Sequence, residues 1–182
     1  VTDSILVASA ITLTVGALSF RVWLNKRSQW AVLAFAVACA SSAVYAWFEI
    51  AMATTDSPAV YGMILRWSHP VAWVFCASIS VFPFLHLEAG RKWLLWLIIG
   101  SRGVGTLLNF TFPVNINFRE ITAIGHVSVL GESLSYAIGV PNPWVLIQYV
   151  SFAGLIVFSQ DIALTVWRRG ERRKALVYGA GF

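Results

Sequence analysis

Residues 90–110 read GRKWLLWLIIGSRGVGTLLNF, in which two basic residues precede a long apolar run. About 20 apolar residues in a helix cross the hydrocarbon core of a bilayer, so this run predicts a membrane span. Arg102 interrupts the run ten residues after Lys92, which is about 15 Å along a helix. That depth lies near the middle of a hydrocarbon layer about 30 Å thick. A guanidinium there predicts a helix bundle whose interior supplies a partner for the charge.

The composition extends this prediction to the whole chain. The 182 residues are 58% hydrophobic and 12% charged, whereas soluble domains contain about 25% charged residues. Five apolar segments are long enough to span a membrane, and they cover residues 5–23, 30–52, 61–87, 93–110 and 144–167. A sixth helix starts within residues 175–182 and is too short to cross, so we expect the natural protein to continue; the alternative is that this tail lies at the membrane interface. We therefore predict an all-α, polytopic membrane helix bundle, with residues 1–182 as a single transmembrane domain.

The basic residues indicate the orientation of the bundle. If the spans alternate, Arg119 is alone on one side, with Arg66 just inside its span. The other side receives Arg21, Lys26, Arg27, Arg91, Lys92, Arg168, Arg169, Arg172, Arg173 and Lys174. The positive-inside rule then predicts an N-terminus outside and a cytoplasmic RRGERRK at residues 168–174. Because the positive charges flank spans instead of forming a stripe, a nucleic-acid partner is not predicted.

The segment between the fourth and fifth spans, residues 111–143, is long for a connection. Its apolar residues recur at roughly helical spacing, and glycines interrupt them. We predict a structured extracytoplasmic cap, with a short amphipathic helix on the membrane surface and irregular chain on either side.

Apart from Arg21 at the end of the first span, four spans carry ionisable side chains, and such groups are costly in a membrane unless they are paired. Glu49 and Arg66 lie at similar depth near the outer ends of their spans, so we predict that they form an ion pair. Arg102 is predicted to pair with Asp161, because a long side chain can bridge their difference in depth. Glu132 in the cap is the competing partner for Arg102.

Two interpretations of the polar side chains remain open. In the first, the pairs hold the helices together and have no further role. In the second, a polar pocket opens outward under the cap and binds a small polar or anionic ligand. The residues assigned to that pocket are Arg66, His69, Arg102, Asn109, Asn115, Asn117 and Glu132.

No catalytic or metal-binding motif is present in the sequence, which has no nucleophile–base pair, Walker loop or HExxH. His69 and His86 lie in one span about 25 Å apart, so they cannot ligate the same metal. No cofactor is therefore predicted, although a haem or pigment with His69 as a single axial ligand remains an alternative. Cys39 and Cys76 are interpreted as small buried hydrophobic residues.

Several phrases from residue 66 onward are distinctive. They are RWSHP at 66–70, AGRKWLLW at 89–96, SRGVGTLLNF at 101–110, NINFREI at 115–121, LGESLS at 130–135, PNPW at 141–144 and WRRGERRKA at 167–175. In these phrases the chain resembles the membrane-embedded N-terminal domains of bacterial sensor histidine kinases, which are often followed by PAS domains. The resemblance extends from about residue 61 to the end.

The resemblance implies a signal-input domain in the bacterial cytoplasmic membrane, with about seven spans leading into cytoplasmic PAS and kinase modules. These 182 residues contain no such module, so the chain is not expected to be an enzyme by itself. The alternative is a non-catalytic accessory subunit of a larger bacterial membrane complex, either electron-transfer or photosynthetic. It would pack against other subunits, lipids or pigments. The expected partners are the lipid bilayer and either further copies of the chain or the subunits of such a complex.

Overall fold

The computed structural model describes residues 2–179, and within them the chain forms six α helices and one β hairpin. The helices are α1 Thr2–Asn25, α2 Trp30–Ala53, α3 Pro58–His86, α4 Lys92–Thr111, α5 Leu146–Arg168 and α6 Arg172–Gly179. Helices α1 to α5 are long and apolar enough to cross a membrane, which confirms a multi-pass membrane protein. Their ends lie within three residues of the ends of the spans predicted from the sequence. Residues 180–182 of the predicted sixth helix lie outside the described residues.

Each helix packs mainly on the next one along the chain. Glycines allow two of these contacts to be close. A Cβ on Gly16 of α1 would lie 2.8 Å from the Cβ of Cys39 in α2, and one on Gly154 of α5 would lie 3.1 Å from Ile98 in α4. Small residues that let helix backbones approach replace the hydrophobic driving force that is absent within lipid.

The predicted cap is a β hairpin, so the amphipathic helix expected there is wrong, whereas the five long apolar helices agree with the predicted helix bundle. Strand β1 covers Phe118–Val129 and pairs antiparallel with β2, Glu132–Pro141. Leu130 and Gly131 form the two-residue turn with φ angles of 51° and 84°, and positive φ at both positions is the type I′ geometry that suits a twisted hairpin. The apolar side chains near this turn alternate with a period of two, which places them on one face of a strand pair.

The hairpin lies across one end of the bundle, which we call the hairpin end. Near the turn, Glu132 accepts hydrogen bonds from the backbone nitrogen and the hydroxyl of Thr2, at 2.9 and 2.8 Å. Further along, Nε2 of His126 lies 3.6 Å from a carboxylate oxygen of Asp56, between α2 and α3. The opposite end of the bundle carries most of the basic side chains and is called the basic end.

The main cluster of buried apolar side chains lies toward the basic end, between α4, α5 and α6. It comprises Ala89, Leu94, Leu95, Ile98, Phe158, Ile162, Val166 and Ala175. Polar side chains dominate the interior nearer to the hairpin end. The bundle is therefore divided along its length into an apolar half and a polar half.

Candidate functional site: a buried polar network

The network begins where a proline disturbs α3. Pro70 has no backbone N–H, so the carbonyl of Arg66, four residues earlier, receives no hydrogen bond from within the helix. The side-chain nitrogen of Asn109 in α4 donates to that carbonyl at 2.9 Å. Helix α3 continues through both of its prolines from Pro58 to His86. The missing helical bond is thus replaced by a bond to the neighbouring helix.

Arg66 holds the segment that connects α4 to the hairpin. Its Nε donates to the carbonyl of Val114 at 2.7 Å, and its Nη2 donates to the carbonyl of Phe112 at 2.6 Å and also to that of Pro113. The predicted ion pair between Glu49 and Arg66 is wrong. Glu49 is exposed on α2, where its neighbour is Tyr45 one turn earlier, and the guanidinium is directed at backbone carbonyls instead.

Three asparagines fix the same connecting segment from within. The Asn109 oxygen accepts from the backbone of Ile116 at 3.0 Å. The Asn115 oxygen accepts from the backbone nitrogens of Asn117 and Phe118, and its amide nitrogen donates to the carbonyl of Gly62 at 3.3 Å. Asn142, at the far end of the hairpin, donates to the carbonyl of Asn115 at 3.3 Å. Buried amides satisfy the backbone groups of a segment that has no regular secondary structure.

A second chain of hydrogen bonds runs from Arg102 to the connecting segment. Arg102 Nη1 donates to Oε1 of Gln148 in α5. The Gln148 amide nitrogen lies 3.0 Å from Nδ1 of His69, and His69 Nε2 lies 2.8 Å from Oδ1 of Asn117. We assign His69 as the Nε2–H tautomer, because the amide can only donate to Nδ1 and the carbonyl oxygen can only accept from Nε2. Every donor in this relay then points from Arg102 toward the hairpin end.

Arg102 has no acidic partner among the described residues, although its side chain is only 4% exposed. Besides Gln148, its guanidinium carbon lies 5.1 Å from the centre of the Phe152 ring, a cation–π contact. Its Nε has no hydrogen-bond partner within residues 2–179. The predicted pair with Asp161 is wrong because Asp161 lies thirteen residues beyond Gln148 on α5, about 20 Å toward the basic end. Glu132 does not replace it, since Glu132 bonds to Thr2.

Asp161 instead joins α5 to the turn between α3 and α4. One carboxylate oxygen accepts from the backbone nitrogen of Arg91 at 3.0 Å, and the other lies 3.2 Å from its Nε. Arg169, after the end of α5, donates to the carbonyls of Leu87 and Glu88 at 3.1 and 2.8 Å. Together with Gln148 near its first residue, these contacts attach α5 to the rest of the bundle at both of its ends.

The structure brings together six of the seven residues that the sequence assigned to a polar pocket, and it leaves Glu132 elsewhere. Most of their polar atoms bond to one another or to the backbone, so no ligand is required to satisfy them. Gln148 and Asn142 belong to the same network, with exposed fractions of 4% and 1%, and they were missed. An amide in an apolar helix, such as Gln148 in α5, carries a signal similar to that of an ionisable group, because it too needs a partner within the membrane.

The alternative role of His69 as an axial ligand conflicts with these contacts. Both ring nitrogens are engaged, by Gln148 and Asn117, so a haem or pigment would have to displace one of them. Within residues 2–179 no cluster of three His, Cys, Asp or Glu side chains is suited to a metal ion.

Comparisons with protein-family models, with curated proteins and with solved structures find no match for this chain. The resemblance to the membrane domains of sensor histidine kinases is therefore carried by the sequence phrases alone.

Proposed function

We propose that this chain is a membrane-embedded signal-input domain of a bacterial inner-membrane protein, with the hairpin end outside and the basic end in the cytoplasm. The observation that carries the proposal is the relay from Asn117 through His69 and Gln148 to Arg102. The relay connects a segment under the hairpin to α5, which leads directly into the basic residues 168–174. A change at the hairpin would reach the cytoplasmic side through this helix.

The contacts at the basic end support the same proposal. Asp161 and Arg169 attach α5 to the turn that joins α3 to α4. A displacement of α5 would therefore alter that turn as well. A signal-input domain needs an element of this kind, which is in contact with both ends of the bundle. Each end can then change the position of that element.

A second candidate is the accessory subunit of a larger complex, and the outer face of the hairpin favours it. Val127, Val129, Tyr136, Ile138 and Val140 share that face and are each between 38% and 47% exposed. Exposed apolar patches on a surface outside the membrane mark sites of protein contact. In this alternative the polar network only keeps the hairpin rigid.

A coupling experiment tests the signal-input proposal. Amide hydrogen exchange is compared between the wild type, Asn117→Leu, which breaks the relay at its outer end, and the exposed control Ser128→Leu. Faster exchange in the turn at residues 87–91 for Asn117→Leu alone supports transmission along α5. If the change stays within the hairpin end, the proposal is rejected and the network is a static clamp.

The two candidates are distinguished by isolating the protein from its native membrane in a mild detergent. Peptides that continue beyond the chain into PAS or kinase sequence, recovered in a colourless homo-oligomer, support the signal-input domain. Recovery in a stoichiometric assembly with different subunits, and with the absorption spectrum of haem or pigment, supports the accessory subunit.

A further inference from the structure

The apolar half of the bundle contains a large groove that the polar network does not touch. Helices α1, α2, α3 and α6 surround it, and it encloses about 860 Å³. Its walls are mainly aromatic and aliphatic, with Phe35, Phe75, Ile79 and Phe82 among them. That volume lies within the range of about 300–1,000 Å³ that is typical of small-molecule sites.

The groove has the length of one bilayer leaflet. From Phe75 to His86 the lining follows α3 for eleven residues, which is about 17 Å. Half of a hydrocarbon layer about 30 Å thick has nearly the same extent. The groove runs from the basic end to the middle of the predicted membrane depth. An apolar space at that depth is suited to a hydrocarbon chain and poorly suited to water.

Two basic side chains, Arg173 and Lys174, line the groove at the basic end, where His86 also lies. Arg173 is exposed and has no ion-pair partner among residues 2–179. Lys174 is paired with Glu171. The neighbouring Arg172 packs on the ring of Trp167 instead, at 5.4 Å. Basic clusters next to openings between membrane helices attract the headgroups of anionic lipids.

We propose that this groove binds an anionic phospholipid from the leaflet at the basic end. An acyl chain lies along α3, and the phosphate contacts Arg173 and Lys174. The assignment rests on charge complementarity and on the match between groove length and leaflet thickness, and it is independent of the signal-input proposal. It assigns a ligand to the cavity and makes α6 part of a lipid site.

The experiment titrates the delipidated full-length protein in detergent with phosphatidylglycerol or phosphatidylcholine and counts bound lipids by native mass spectrometry. We expect phosphatidylglycerol to bind more tightly. The variant Arg173→Gln/Lys174→Gln should lose about 25-fold in affinity, because each basic residue near the surface contributes about fivefold. The control Arg168→Gln/Arg172→Gln removes the same charge outside the groove, and it should change the affinity far less.

A steric pair of variants tests the groove itself. Val177→Trp places a large ring in the groove lining, whereas Leu176→Trp places it at the neighbouring exposed position of α6, which does not line the groove. We expect only Val177→Trp to displace the lipid, with both variants eluting as folded protein. Equal binding of the two lipids, or equal behaviour of the two charge variants, would overturn the proposal. Retention of a protein partner in the groove in place of lipid would overturn it as well.

Discussion

The contact between Arg102 and Gln148 allows the polar network to be tested quantitatively. Gln148→Leu removes both the oxygen that accepts from Arg102 and the nitrogen that donates to His69. A buried charge that loses its partner costs about 3–5 kcal/mol. An unsatisfied His69 acceptor adds about 1–3 kcal/mol. The Phe152 ring still faces the guanidinium and offsets part of these costs. We therefore expect Gln148→Leu to lower the free energy of unfolding by about 4 kcal/mol, the middle of the range for an unpaired buried charge.

A second substitution should reverse part of this loss. Arg102→Met alone leaves the Gln148 oxygen without its donor and should cost about 1–3 kcal/mol. In the double variant no buried charge remains, and only the His69 acceptor is unsatisfied, at a similar cost. Adding Arg102→Met to Gln148→Leu should therefore restore about 2 kcal/mol of stability. Two independent sites would instead give additive losses.

The free energies are measured by equilibrium unfolding in mixed micelles of a mild detergent and sodium dodecyl sulfate, followed by circular dichroism. Gln160→Leu is the matched control, because Gln160 lies on the same helix and is exposed, and it should change stability by at most about 0.5 kcal/mol. The reasoning is refuted if Gln148→Leu costs less than about 1 kcal/mol. It is also refuted if the double variant is no more stable than Gln148→Leu alone.

Three further variants test individual features of the backbone. Gly90→Ala should lose at least about 1 kcal/mol in the same unfolding assay, because Gly90 has a φ of 101° and its Cβ would lie 2.8 Å from a ring of α5; Gly100→Ala, with open space around it, should not. Asp161→Ala should lose about 1 kcal/mol of stability, because it leaves the backbone nitrogen of Arg91 unbonded. Arg91→Gln should lose at most about 0.5 kcal/mol, because the Arg91 side chain is largely exposed. Equal losses for the two variants would contradict this. Leu130→Asn should stabilise the hairpin turn by about 1 kcal/mol, measured as slower amide exchange in both strands, and unchanged exchange would contradict it.

The helices could be predicted from the sequence because hydropathy depends on each residue alone. Runs of about 20 apolar residues define the spans whatever their neighbours are. The hairpin was harder to predict from the sequence, since its turn uses Leu130 where asparagine or glycine is the usual signal for positive φ. Glycines in both strands also obscured the alternation of apolar side chains.

The partners of the buried charges could not be predicted in the same way. Pairing each cation with an acid assumes that charge is neutralised by charge. Arg66 instead donates to three carbonyls of the connecting segment, and Arg102 to an amide. Backbone carbonyls exist at every position, so the sequence does not indicate which of them will be left free. The exceptions are the carbonyls four residues before the two prolines inside α3, Pro70 and Pro83. Asn109 bonds to the one that precedes Pro70.

The amide at Gln148 explains why Arg102 is not paired with an acid. A carboxylate at that position would neutralise the guanidinium, but it could not donate to Nδ1 of His69. Gln148 accepts on one side and donates on the other, so it fixes the His69 tautomer and, through it, the orientation of the Asn117 amide. Reversing any one amide would place two donors or two acceptors together. The relay therefore has a single low-energy arrangement. A fixed clamp requires such an arrangement, and a signal would have to displace the relay from it.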